Sequence, residues 1–184
     1  MCLVPVAWLG WSAYHQDLGA NPLEVITHTT GDWTLRFLLI TLSVTPLRQI
    51  TKQYWLIQYR RMFGLFAFFY GTLHLTTYLW FDKFFVWHDI WQDVAKRKFI
   101  TVGFLAFVLM VPLAVTSTKG MIRRLGKRWI ALHRLIYVSA AAGVFHYLWL
   151  VKADHRVPLT YGAILVALLG YRVVVWRGRL ARGQ

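Results

Sequence analysis

Three histidines, His74, His133 and His146, stand in stretches almost free of charge. An ionisable group in such a setting is costly and usually marks a ligand site or a proton pathway. Neutral imidazole is also the commonest metal ligand among side chains. The other four, His15, His28, His88 and His155, fall in more polar connecting segments, where a solvated histidine needs no special role. Cys2 is the single cysteine, which excludes a disulfide framework and a multi-thiolate metal cluster.

The elements that must carry these histidines follow from the apolar runs. The chain has 184 residues, of which 58% are hydrophobic, 17% aromatic and only 15% charged, with a mean hydropathy of +0.46. An ordinary soluble domain carries about a quarter charged residues. Met62 to Phe81 and Phe99 to Thr118 are each twenty residues without a charge, the length that crosses a hydrocarbon layer as a helix. The pattern predicts an all-α, polytopic membrane helix bundle, one domain over 1–184. About six spans are expected, near 3–16, 34–50, 61–81, 99–118, 129–151 and 158–176. The first is short, so the chain is expected to begin inside a longer helix. The second has an uncharged run only from Phe37 to Leu47, with Arg36 and Arg48 snorkelling at its ends. Pro46 and Pro112 fall inside spans, where membrane helices tolerate proline. The segment 82–98 alternates aromatic and charged residues and is expected to lie on the membrane surface. Neither an internal repeat nor a Gly-rich phosphate loop is evident.

Twenty-one Lys+Arg against seven Asp+Glu give a formal charge of +14. In a soluble chain that would suggest nucleic acid, but here the charges sort by side of a membrane. Arg48, Lys52, Arg60, Arg61, Lys119, Arg123, Arg124, Lys127, Arg128, Arg172, Arg177, Arg179 and Arg182 fall on one side, with no acid among them. All seven acids, Asp17, Glu24, Asp32, Asp82, Asp89, Asp93 and Asp154, fall on the other. The positive-inside rule makes the first side cytoplasmic and places both termini there. Trp33, Trp80, Trp87, Trp91 and Trp149 then mark the outer boundary, and Trp55, Trp129 and Trp176 the inner one.

With that orientation, His74 and His146 lie at one depth in the outer half, on the third and fifth spans. His133 lies about 20 Å deeper at 1.5 Å per residue. A zinc site would want more ligands at one level. Two facing imidazoles suit the axial positions of a haem, which supplies four ligands of its own. The plainer reading has each histidine bonded to Thr72, Thr76, Tyr78 or Tyr147. His133 lacks a histidine at its own depth; Arg60, fourteen residues before His74, stands there instead. For Arg60 three readings stand: the positive collar, contact with haem propionates, and ligation. On an ideal helix His133 and His146 point about 140° apart, so the fifth span is expected to be irregular, with Gly143 a natural place for it.

The blocks LGANPLEVITHTTGDWTLRFLLITLSVTPLR (18–48), RRMFGLFAFFYGTLHLTTYLWFD (60–82) and TSTKGMIRRLGKRWIALHRLIYVSAAAGVFHYLWLVK (116–152) resemble the ferric reductase-like transmembrane family. The resemblance runs from about Leu18 to Arg177. It implies a b-type cytochrome of the bacterial inner membrane with one or two haem b groups, and it carries the haem histidines onto His74, His133 and His146. The wider superfamily uses four histidines, and Arg60 occupies the fourth position here. The implied role is an electron-transfer subunit rather than a catalytic one. Electrons would come from the quinone pool, or from a separate cytoplasmic flavin reductase. They would pass to a periplasmic molybdopterin methionine sulfoxide reductase that repairs oxidised proteins. A flavin (FMN) is also implied, without a motif for it in this chain. The rival class is a cofactor-free transporter or scaffold, whose histidines would relay protons or pack; the absence of a carboxylate inside the expected spans speaks against it.

Overall fold

A computed structural model describes residues 1–181, apart from the Arg179 side chain; Arg182, counted above with the basic side, lies outside them. Among the described residues the regular structure is helical throughout. Helices α1 (Val4–Tyr14), α2 (Pro22–Thr51), α3 (Ile57–Thr77), α4 (Trp87–Lys96) and α5 (Lys98–Val115) are followed by α6 (Lys119–Leu125), α7 (Lys127–Leu132), α8 (Leu135–Leu150) and α9 (Arg156–Ala181). A 3₁₀ turn, Tyr54–Leu56, leads into α3, and a π turn, Tyr78–Asp82, continues it. Lys98–Val115 and Arg156–Gly178 are long and apolar enough to cross a membrane by length and composition.

The second expected span is the one that changes most. It lengthens into α2, which runs 30 residues from Pro22. The start is set locally: Asn21 caps the Glu24 amide through its side chain, and Pro22 fills the first turn, where its missing N–H costs nothing. Asp32 therefore sits inside a long helix rather than in a loop before one.

Two helix pairs make the core, α2 with α3 and α5 with α8. Leu35, Phe37, Leu38 and Leu42 of α2 close on Ala67 and Tyr70 of α3, and Met110 and Leu113 of α5 on Ile136, Ala140 and Val144 of α8. Small residues let the backbones approach, as membrane helix contacts require. In the second pair Ser139 Oγ donates to the Ala106 carbonyl at 2.9 Å. Tyr70 is fully buried, and its hydroxyl donates to Cys2 O at 2.8 Å and accepts from Val6 N at 3.3 Å. Val6 N–H lies in the first turn of α1, where no intrahelical acceptor exists. A side chain from α3 thus caps α1.

The fifth expected span is broken, but not at Gly143. α7 ends at Leu132, and α8 starts at Leu135. Across the join Arg134 N bonds Ala131 O, Ile136 N bonds His133 O, and Tyr137 N bonds Arg134 O. These are i→i+3 bonds, which wind by about 120° per residue instead of about 100°, so three of them turn the chain by an extra 60° or so. That overwinding takes up nearly half of the angular mismatch between His133 and His146. Gly143 stays within an uninterrupted helix.

Segment 82–98 forms α4, a short amphipathic helix with Ile90 buried and Trp87 and Trp91 exposed. Asp93 fixes it, meeting Lys83 Nζ, Arg97 Nε at 3.5 Å and the Tyr78 hydroxyl at 3.4 Å. Before α4, Phe84 and Phe85 both hold positive φ, of 48° and 57°, a costly backbone for aromatic residues.

Two outcomes follow. Tyr70→Phe leaves Cys2 O and Val6 N unpaired, so it should cost about 1–3 kcal/mol; a lowered melting temperature in detergent and faster proteolysis of α1 are the readouts. The Lys83 ammonium, helped by Arg97, holds the Asp93 carboxyl below its ordinary range. A depressed folded pKa stabilises above the unfolded value, near pH 4, and is lost as pH falls through the folded value. Acid melts from pH 5 downward should show that loss in the wild type, and Asp93→Asn should abolish its share of it.

Candidate haem site

His74 on α3 and His146 on α8 meet in the interior, with ring centroids 6.2 Å apart and planes at 77°. The equal depth read from the sequence is therefore real proximity. Neither ring bonds a Ser, Thr or Tyr side chain, as the plainer reading required. His74 Nδ1 instead meets the carbonyl of Thr27 on α2 at 2.9 Å, and His146 Nδ1 the carbonyl of Phe99 on α5 at 2.7 Å. A carbonyl can only accept, so each Nδ1 carries the proton and each Nε2 keeps a free lone pair. No partner for either Nε2 is present among the described residues. A metal-binding histidine is oriented this way by its second nitrogen.

Each ring lies over a glycine one turn beyond that carbonyl. A Cβ on Gly31 would come within 3.1 Å of the His74 ring, and one on Gly103 within 2.6 Å of His146 Nδ1. The two arrangements share one register: in both, the carbonyl precedes its histidine by 47 residues. Thr27, Gly31, Phe99 and Gly103 were missed in the sequence because a backbone carbonyl leaves no mark on residue type. The repeated spacing was the available signal.

Behind His146 a polar cluster joins three helices. Asp32 and Arg36 of α2 pair at 3.5 Å, and Arg36 Nε donates to Tyr161 of α9 at 2.9 Å. Tyr147, next to His146, packs its ring against Tyr161 with centroids 6.1 Å apart. The carboxylate absent from the expected spans is thus present in the helix, paired with an arginine.

His133 differs. It sits in the turn between α7 and α8, stacked on Trp129 with centroids 3.9 Å apart. Trp129 is itself held by donating Nε1–H to Thr116 O at 3.0 Å. Both His133 nitrogens are buried without a partner. Arg60, half-buried on α3, lies within electrostatic reach of His133. His15, His28, His88 and His155 are exposed.

The donor set can be tested against a metal. Among the described residues no three His, Cys, Asp or Glu side chains gather around a common point, so a metal here needs ligands that the chain does not supply. An imidazole nitrogen bonds a divalent first-row metal at about 2 Å, and with a ring radius of roughly 1.1 Å two opposed axial imidazoles put their centroids about 6 Å apart. The observed separation is 6.2 Å, so His74 and His146 could hold an iron porphyrin through their Nε2 atoms. His133, with both nitrogens unpartnered, stands apart from this pair.

Residues 30–144 match the family described as ferric reductase like transmembrane component. The chain belongs to that family. It is therefore a membrane protein of a ferric reductase-like kind. It is 55% identical to the protein-methionine-sulfoxide reductase heme-binding subunit MsrQ of Herminiimonas arsenicoxydans, over 96% of this chain and 83% of that one. It is 53% identical to the MsrQ of Rhodospirillum rubrum, over 94% and 84%, and 50% identical to that of Caulobacter vibrioides, over 97% and 84%. No solved structure matches significantly.

Gly103→Ala should push the His146 ring off the Phe99 carbonyl and remove most of the bound haem. Gly64→Ala, where a Cβ would meet only ordinary contact with Thr41, should leave it unchanged. Haem per chain in purified protein, by the pyridine haemochrome assay, checks both.

Proposed function

We propose that this chain is the haem-binding membrane subunit of a methionine sulfoxide reductase system. It takes electrons on the cytoplasmic side of the bacterial inner membrane and delivers them to a periplasmic, MsrP-like molybdopterin partner that repairs oxidised proteins. The observation that carries the reading is the His74–His146 pair, two imidazoles on facing helices, each fixed by a backbone carbonyl and left with a free Nε2. The names of its relatives, as heme-binding subunits of protein-methionine-sulfoxide reductases, support the same assignment.

In this reading His74 and His146 hold a haem b at the level of the acidic residues. His133, with Arg60 beside it, serves a second haem at the basic level. Haem supplies one-electron iron chemistry when bound. The protein's part is to orient and to insulate. The Thr27 and Phe99 carbonyls fix the tautomer of each imidazole and raise its basicity. The apolar packing of α2, α3, α5 and α8 keeps water out, which sets potential through burial. Arg60 would offset the propionate charge of that second haem.

The apolar runs support six spans, and the segregation of charge supports cytoplasmic termini. The exposed aromatics of the loop before α4 and of α4 itself, Phe84, Trp87 and Trp91, then face the periplasmic partner. The basic residues of α6 and α7, Arg123, Arg124, Lys127 and Arg128, face the donor. That donor is quinol from the membrane pool, or a cytoplasmic flavin reductase whose FMN phosphate these cations complement.

Detergent-purified protein should show a b-type spectrum on reduction with dithionite, at one or two haems per chain. His74→Ala and His146→Ala should each remove the signal of the same haem while the protein still inserts. His133→Ala should spare that signal and remove only a second one. A colourless protein from haem-replete cells, or normal haem content in both His74→Ala and His146→Ala, would overturn the assignment.

A further inference from the structure

Arg172 of α9 is a half-buried charge whose setting is unlike that of Arg36. Pro46 lacks an N–H, so the Leu42 carbonyl one turn earlier in α2 loses its helical donor. Arg172 Nη2 replaces that donor at 2.7 Å, while Nη1 donates to the Tyr137 hydroxyl of α8 at 2.9 Å. The guanidinium also lies over the Tyr137 ring, 5.2 Å from its centroid. These partners are neutral. Arg172 makes no ion pair within the described residues, and Arg60, within electrostatic reach, adds a second positive charge. A half-buried cation without a counter-ion is expensive in hydrocarbon.

Beside it lies a cleft of about 180 Å³ between α2 and α9, lined by Thr45, Gln49, Tyr171, Arg172, Val175 and Trp176. Two residues of the lining carry buried atoms without partners, Arg172 Nε and Thr45 Oγ1, and so does Arg48 of α2 at Nε. The lining offers donors and a positive charge, with no carboxylate or imidazole to take a proton. Oxidation of a quinol releases two protons, so this cleft lacks what a quinol site needs. Its volume is also below the roughly 300–1,000 Å³ of sites for ring-sized ligands. What fits is a small anionic group. The walls continue into the apolar, outward surface of α9, where Val174 is 70% exposed and Trp176 61%, so the group is the head of a lipid.

We propose that this cleft binds the phosphate of an anionic phospholipid from the leaflet at the basic end, joining α9 to α2. The phosphate neutralises Arg172 and accepts from the Gln49 side chain. The acyl chains run along α9, which is otherwise mostly exposed. The assignment rests on the family's membrane setting and not on the haem reading.

The test uses delipidated, detergent-purified full-length protein. Thermal unfolding is followed against added phosphatidylglycerol, phosphatidylcholine and inorganic phosphate. Phosphatidylglycerol should raise the melting temperature of the wild type by several degrees, and the other two should not. Val175→Trp fills the cleft while keeping the Arg172 side chain and its bond to Leu42, and should weaken the phosphatidylglycerol response about tenfold or more, that is by more than one decade in apparent affinity. Arg172→Gln should do the same. That variant also loses the bond to Leu42 and starts from lower stability, so Val175→Trp is the deciding variant if Arg172→Gln does not fold. Equal stabilisation by phosphatidylcholine, an undiminished response in Val175→Trp, or no response in the wild type would overturn the proposal. Stabilisation by inorganic phosphate alone would overturn the lipid and assign the cleft to a soluble anion.

Discussion

The bond from an imidazole N–H to a backbone carbonyl of the neighbouring helix is the interaction on which the interior depends. A helical carbonyl already accepts within its own helix, and its second lone pair is reachable only where the helices nearly touch. Glycine at positions 31 and 103 permits that approach, because a Cβ at either would enter the space of the ring. The bond then sets the tautomer, aims the ring, and leaves Nε2 with an open lone pair. One contact thereby links close packing of α2 with α3, and of α5 with α8, to the ability of His74 and His146 to act as a facing pair.

The two ends of the bundle treat polar groups differently. At the acidic end they are satisfied within the chain: Asp32 with Arg36, Arg36 with Tyr161, and Asp93 with Lys83 and Arg97. At the basic end the demand exceeds the supply. His133, Thr45, Arg48 and Arg172 all carry buried atoms without partners, and no Asp or Glu falls in the segments on that side. Orphaned polar atoms are rare in folded proteins and require a specific explanation. Here they cluster where ligands from outside the chain, porphyrin or phosphate, have matching chemistry.

Proline 46 shows how such a demand arises. Its ring removes one donor from α2, and the freed Leu42 carbonyl draws a guanidinium from α9 into the bundle. The charge that repairs the backbone then needs a counter-charge of its own. A single proline in a helix thus acts through Arg172 on the outer surface of the fold.

Composition and apolar run length were enough to read an all-helical membrane protein from the sequence and to put His74 and His146 at one depth, while the family was legible only in the resemblance of three sequence blocks. Those properties are local or one-dimensional, so residue types report them directly. The start of α2, the break at His133 rather than Gly143, and the pairing of Asp32 were not legible, because each depends on backbone hydrogen bonds or on partners far along the chain. The carbonyls of Thr27 and Phe99 were hidden for the same reason: every residue has a carbonyl, and only the packing of two helices decides which one a histidine can reach.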